Sequence, residues 1–113
     1  MTDCLFCRIA AGEIPTDFVY EDDDVVAFRD INPQASVHIL VVPRRHVPDL
    51  TAAAEDSDLI GRVVSVVAKV AADQGVDRSG YRSVVNTGPD AQQSVQHLHV
   101  HVIGGRQMDW PPG

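Results

Sequence analysis

His97-Leu98-His99-Val100-His101-Val102-Ile103 places an imidazole at every second position of an otherwise apolar run. Side chains alternate across a β-strand. A strand here therefore puts three histidines on one face, roughly 6–7 Å apart along it, and Leu98, Val100 and Val102 on the other. A buried core explains the apolar face; packing gives no reason for the imidazole face. Near neutral pH an imidazole is a nucleophile, an acid or base, a phosphate donor or a metal ligand. Three of the chain's five histidines within five residues mark a chemical site.

The run is entered through a polar loop, Gly88-Pro-Asp-Ala-Gln-Gln-Ser94-Val-Gln96, and left through Gly104-Gly105. Such a loop can turn backbone N–H groups and the Ser94 hydroxyl toward an anion lying over the imidazoles. Farther out, Tyr81–Thr87 and Val37–Val42, closed by Pro43, read as strands. Phe18–Glu21 and Val25–Arg29 form a hairpin through the acidic turn Asp22-Asp23-Asp24, which lacks the spacing of a calcium loop. Two helices complete the pattern. A short one covers Asp3 to Ala11 and stops at Gly12; a long one runs from Asp56 to Gln74 with Gly75 as its C-cap. The long helix is apolar at Leu59, Ile60, Val63, Val64, Val66, Val67, Val70 and Ala71, a stripe wider than one sheet contact needs. That excess fits a deeply sandwiched helix or, the favoured reading in so short a chain, one that meets both its own sheet and a second subunit.

Five strands with one long and one short helix make a single domain spanning residues 1–113. An apolar content of 44% excludes a disordered chain. A net charge of −7 leaves no basic stripe for a nucleic-acid polymer, so an anionic ligand needs local positive potential instead. No apolar run is long enough for a membrane span, and Met1-Thr2-Asp3-Cys4 does not open a secretory leader. The expectation is a cytoplasmic protein.

Cys4-Leu-Phe-Cys7 is a second constellation. A C-x-x-C pair is a redox pair, a disulfide or half of a zinc site. Nothing precedes Cys4 to build a redox βαβ unit, and a disulfide is disfavoured in a cytoplasmic chain. Tetrahedral zinc needs two further ligands, for which His46 and His97 are the candidates. The residues alone leave a metal half-site and incidental thiols about even.

The run His97–Ile103 resembles the defining motif of the histidine triad (HIT) superfamily. Phe28-Arg-Asp30-Ile-Asn-Pro-Gln34-Ala, His38-Ile-Leu-Val-Val-Pro43, Tyr81-Arg-Ser-Val-Val-Asn86, Gln93-Ser94-Val95 and the tail Gly104–Gly113 extend the likeness to its Hint branch. The resemblance implies a homodimer of α+β subunits, each with a five-stranded antiparallel sheet, one long helix and a short N-terminal helix, the sheet continuing from one subunit into the next. It implies hydrolysis of purine nucleoside 5′-phosphoramidates and acyl adenylates. His99 would be the nucleophile, with its Nδ1–H held by the carbonyl of His97. His101 and His38 would contact the phosphate, Ser94 would protonate the leaving amine, and Asn86 would orient the phosphate side. Asp30 would bind the ribose hydroxyls, and Phe6, Ile9, Ile14, Phe28 and Ile31 would form the purine slot. Cys4, Cys7, His46 and His97 resemble the ligands of zinc-containing members, and no magnesium is expected. The alternatives are a dinucleoside polyphosphate hydrolase or nucleotidyl transferase of the same superfamily, and a nucleotide-binding scaffold with vestigial activity. Two departures stand out: Ala91-Gln92 where the branch commonly has Gly, and Asp109 where many tails have His. The second predicts a more acidic rim around Trp110, favouring cationic leaving amines.

Overall fold

In a computed structural model that describes residues 3–113, the chain folds around an antiparallel sheet. The strands are β1 (Phe18–Glu21), β2 (Val25–Arg29), β3 (Val37–Pro43), β4 (Tyr81–Val84) and β5 (Val100–Gly104). They lie in the order β1-β2-β3-β5-β4, every neighbouring pair antiparallel. Met1 and Thr2, with which the reading of the N-terminus begins, lie outside the described residues. No helix among the described residues is long and apolar enough to cross a membrane.

Both faces of the sheet are covered, which is why its central strands read as continuous valine runs rather than as alternating patterns. On one face Val25, Ala27, Ile39, Val41, Val100 and Val102 pack against Val63, Val66, Val67, Val70 and Ala71 of the long helix α3 (Ser57–Asp73). On the other, Val26, Phe28, Leu40 and Val42 pack against Phe6, Ile9 and Ala10 of the short helix α1 (Leu5–Ala10). Asp56 caps α3 by accepting from the Leu59 amide, and Gly75 ends it at φ +77. The apolar excess of α3 reduces to Val64, which is 59% exposed, and Ile60, which is partly buried. At the hairpin, Asp22 Oδ1 accepts from the amides of Asp24 and Val25 at 2.7 and 2.8 Å, closing a self-capped turn.

Two strand boundaries differ from expectation, and one helix is added. β5 begins at Val100, so His97 and His99 lie in the extended segment before it. The ladder with β3 stops because Pro43 has no N–H to give. There the Leu98 amide bonds the Val47 carbonyl at 2.7 Å instead. β4 ends at Val84, opposite His101, rather than at Thr87. A four-residue helix, α2 (Leu50–Ala53), adds to the two expected ones; Asp49 caps it, and Ala53 packs with Val47, Leu59 and Leu98. Side-chain alternation nevertheless persists through His97–Val102. Leu98, Val100 and Val102 enter cores, while the three imidazoles turn the other way.

Candidate active site and metal centre

The antiparallel register brings His38 and His101 together. Leu40 lies opposite His101 and Ile103 opposite His38, so the two imidazoles are diagonal neighbours on the α1 face. His38 Nε2 lies 2.9 Å from His101 Nδ1, and the His101 ring stands 5.2 Å from that of His99. Proton positions follow from the partners. The His97 carbonyl lies 2.7 Å from His99 Nδ1 and can only accept, so the neutral His99 ring carries its proton there. Nε2 of His99 is left with a lone pair. The Gln34 amide donates to His38 Nδ1 at 3.0 Å, so His38 Nε2 bears the proton and donates to His101 Nδ1. His101 then presents an N–H at Nε2. The group thus offers one lone pair and, beside it, one N–H donor. Asp30 Oδ2 lies 3.4 Å from His38 Nε2 and 3.9 Å from His101 Nδ1. These three ligand atoms are close enough for a cation, but the Gln34 amide already fixes the tautomer that makes them a hydrogen-bonded chain. Burial, reinforced by neighbouring His99 and His38 and opposed by Asp30, holds the His101 pKa below the usual imidazole value, which favours the neutral ring.

A different arrangement surrounds His97, which is fully buried. Its Nε2 donates to the Pro43 carbonyl at 2.8 Å, so its Nδ1 carries a lone pair. Three atoms converge on that lone pair: Cys4 Sγ at 3.3 Å, Cys7 Sγ at 3.4 Å and His46 Nδ1 at 3.2 Å. Cys7 Sγ is also 3.3 Å from His46 Nδ1, and all four ligand atoms lie within 4.8 Å of one another. One lone pair cannot serve three donors. Two thiolates and two neutral imidazoles at these separations do fit a tetrahedral cation at their centre, whose bonds are about 2.0–2.3 Å. The Pro43 carbonyl supplies the outer hydrogen bond that a ligating histidine ordinarily makes. Burial also pushes the His97 pKa down, keeping the ring in its ligating form.

The remaining expected residues are distributed unevenly. Phe6, Ile9 and Phe28 are core residues, and Ile14 is half-buried against them. They form a floor rather than an open slot. Phe6 meets Phe28 edge-on at 5.7 Å and His99 edge-on at 5.0 Å. Ile31 is fully exposed and apart from that cluster. Ser94 is exposed in the loop, and Asn86 is half-buried beyond the end of β4. Asp30, expected to face ribose, has Oδ1 bonded to the Asn32 amide and Oδ2 beside the histidine pair.

The loop before the triad differs from an outward cradle in part. The amides of Gln92 and Gln93 bond back to Pro89 and Gly88. Gln92 adopts φ +62, the left-handed conformation that glycine takes most easily. Gln93, a residue type with no distinctive chemical signal in sequence, staples the loop. Its side chain accepts from the Gly88 amide and donates to the carbonyls of Pro48 and Val95. The 46–53 segment, which has no periodic pattern, carries His46, Val47, Pro48 and Ala53, all of which brace the histidine run. On the tail, the Arg82 guanidinium donates to the Asp109 main-chain carbonyl and lies 5.7 Å from the Trp110 ring.

Residues 11–108 match the HIT domain model. The chain belongs to the HIT domain family. It is 50% identical over 112 residues, 98% of its own length and 97% of the relative's, to an uncharacterised HIT-like protein of Synechococcus elongatus. It is 51% identical over 114 residues, 98% and 100% of the two chains, to a 14 kDa zinc-binding protein of Brassica juncea. Its structure superposes on that of a HIT family hydrolase from Legionella pneumophila with a TM-score of 0.94 and 45% identity, covering 98% and 100% of the chains. As a HIT protein it has the α+β fold of that family, and its five-stranded antiparallel sheet is the one that the resemblance implies.

Proposed function

We propose that this HIT protein is a Hint-type hydrolase that cleaves purine nucleoside 5′-phosphoramidates and acyl adenylates through a nucleotidylated His99. The observation that carries this reading is the single lone pair at His99 Nε2, aimed by the 2.7 Å bond from Nδ1–H to the His97 carbonyl. A neutral imidazole attacks phosphorus and leaves readily once protonated, so one hydrolysis is split into two easier displacements. In the first, the Nε2–P bond forms and the P–N bond breaks, with Ser94 delivering a proton to the departing amine. In the second, water displaces His99. The N–H at His101 Nε2, fixed through His38 and the Gln34 amide, donates to the phosphate oxygens as their charge redistributes, and Asn86 orients that side. This arrangement needs no magnesium. Asp30 holds the His38–His101 pair and, with nucleotide bound, meets the ribose hydroxyls. The base lies against the Phe6–Phe28 floor under Ile14 and Ile31. A pure scaffold would have no use for a nucleophile held in one tautomer.

Zinc at Cys4, Cys7, His46 and His97 would tie α1 to the histidine run and is structural. The functional unit is a homodimer. β4 is an edge strand in this chain, with the exposed Trp110 of the tail beside its Arg82, and pairing there would continue the sheet; Val64 on α3 is a further exposed apolar residue. Light scattering at micromolar concentration tests this reading, and a monomer would remove it. The reaction is placed in the cytoplasm, with small nucleotides as partners rather than nucleic-acid polymers or membranes. Purified protein should release AMP from adenosine 5′-phosphoramidate faster than from diadenosine polyphosphates. The reverse ranking would move it to the polyphosphate hydrolases.

A further inference from the structure

The two thiols flank the residue that walls the nucleophile. Cys4 is the N-cap of α1, Cys7 lies in its first turn, and Phe6 between them puts its ring edge-on to His99 at 5.0 Å and to His97 at 6.0 Å. The Cys7 amide donates to Cys4 Sγ at 3.4 Å, so both sulfurs sit together at the start of the helix. Both cysteines are half-buried, within reach of a small oxidant. A six-residue helix does not persist by itself. Its anchorage comes from the Phe6–Ile9–Ala10 patch and from the Cys4–Cys7–His46–His97 cluster.

His97 links that cluster to the chemistry through separate atoms. Nδ1 faces the sulfurs, Nε2 holds Pro43, and the main-chain carbonyl holds His99 Nδ1–H. Besides the His101 ring, His99 is held by two contacts that trace to this cluster, the His97 carbonyl and the Phe6 ring, and both belong to residues that are ligands or lie between ligands.

We propose that Cys4 and Cys7 are an oxidisable latch on the nucleophile: forming their disulfide expels the cation and unpins both of these contacts with the His99 ring. The oxidant is a peroxide. The two thiolates lose two electrons and form the S–S bond. The O–O bond breaks, accepting those electrons and two protons from solvent to give two waters, and the zinc leaves as the hydrated ion. Two imidazoles alone hold the ion poorly, because the thiolates supplied its negative charge. Reduction by a dithiol and return of zinc restore the latch.

The inference rests on the zinc and hydrolase readings above, and its test separates them. Zinc-loaded full-length protein is treated with hydrogen peroxide while zinc release is followed with a chromophoric chelator. Intact mass reports the loss of two hydrogens, and the ring-nitrogen resonances of His99 are recorded before and after. The latch predicts disulfide formation together with zinc release and a change in the His99 resonances. It also predicts nucleotidylation by adenosine 5′-phosphoramidate at least tenfold slower, as expected when a reacting group is misplaced by a fraction of an ångström. All three should reverse with dithiothreitol and zinc. Protein stripped of zinc by a chelator under reducing conditions should show the same resonance change, which assigns the effect to the latch rather than to oxidation elsewhere. A disulfide that forms while the His99 resonances and the nucleotidylation rate stay unchanged would overturn the proposal. So would peroxide treatment that oxidises other residues and leaves the pair reduced. If the reduced protein forms no adduct at all, the hydrolase reading fails, and the resonances still decide the latch.

Discussion

His97 and His101 lie four residues apart in one run of alternating side chains, yet they belong to two unlike groups. Around His101 the protons run in one directed chain, Gln34 N–H to His38 and His38 to His101, with His99 donating to the His97 carbonyl and the Nε2–H of His101 left to face a ligand. Around His97 three atoms, Cys4 Sγ, Cys7 Sγ and His46 Nδ1, converge on one lone pair. The difference lies in what the other ring nitrogen meets. A backbone amide at His38 Nδ1 makes that ring a donor at Nε2, while a backbone carbonyl at His97 Nε2 makes that ring a lone-pair ligand at Nδ1. Identical side chains become a proton chain or a ligand set that could hold a metal according to one main-chain partner each.

The sharpest way to break the comparison is to remove the one free lone pair. His99→Ala should lower kcat by at least about 10³-fold while nucleotide affinity stays within about tenfold, since the nucleophile acts mainly in the chemical step. Steady-state turnover with isothermal titration measures the split, and ordinary turnover by the variant would break the account. Metal removal addresses the other group. Chelation under reducing conditions should lower the melting temperature by roughly 15 °C, as expected for loss of a ligand bound far above its dissociation constant. Calorimetry with elemental analysis checks this, with one zinc per chain expected in replete protein.

Acid separates the two groups more gently. The His101 pKa is lower in the fold than its ordinary 6.5, so the unfolded chain binds its proton first as pH falls. Its contribution is fully present above about pH 6.5 and is lost progressively below that, so stability should fall with acidification through this window. Denaturant midpoints from pH 8 to 5 measure the slope. A His101→Gln variant should show a shallower one. The smallest effect is expected in the loop: Gln92→Gly should stabilise by about 0.5 kcal/mol, the left-handed strain relieved exceeding the extra freedom of the unfolded glycine. An unchanged or lower denaturant midpoint would show that the Gln92 side chain contributes more than its backbone costs.

The two groups are not equally legible in sequence. Period-two alternation and valine runs mark the strands and their faces, and the Asp56 cap with Gly75 marks the long helix, because these signals are local. The triad and the C-x-x-C pair are readable as residue types. The division of labour is not, because it depends on Pro43 and Gln34 meeting particular ring nitrogens across long stretches of chain. Strand ends escape the pattern for a related reason: the alternation already runs through His97–His99, ahead of the last β3–β5 pair, Val41 with Val100. The bracing segment at 46–53 has no periodic signal, since its contribution is carbonyls and one four-residue helix. Asp30 beside His38, and Arg82 beside Asp109, are tertiary juxtapositions that no spacing encodes.

The central claim is that His99 Nε2, and no other atom of the chain, takes the nucleotidyl group. Brief reaction with adenosine 5′-phosphoramidate, quenching, intact mass and fragment mapping under conditions that preserve a phosphorus–nitrogen bond test it directly. The account predicts a single AMP adduct on His99 that forms and decays within turnover and is absent from His99→Ala. Turnover at full rate with no adduct, or an adduct on His38, His101 or Ser94, would contradict it.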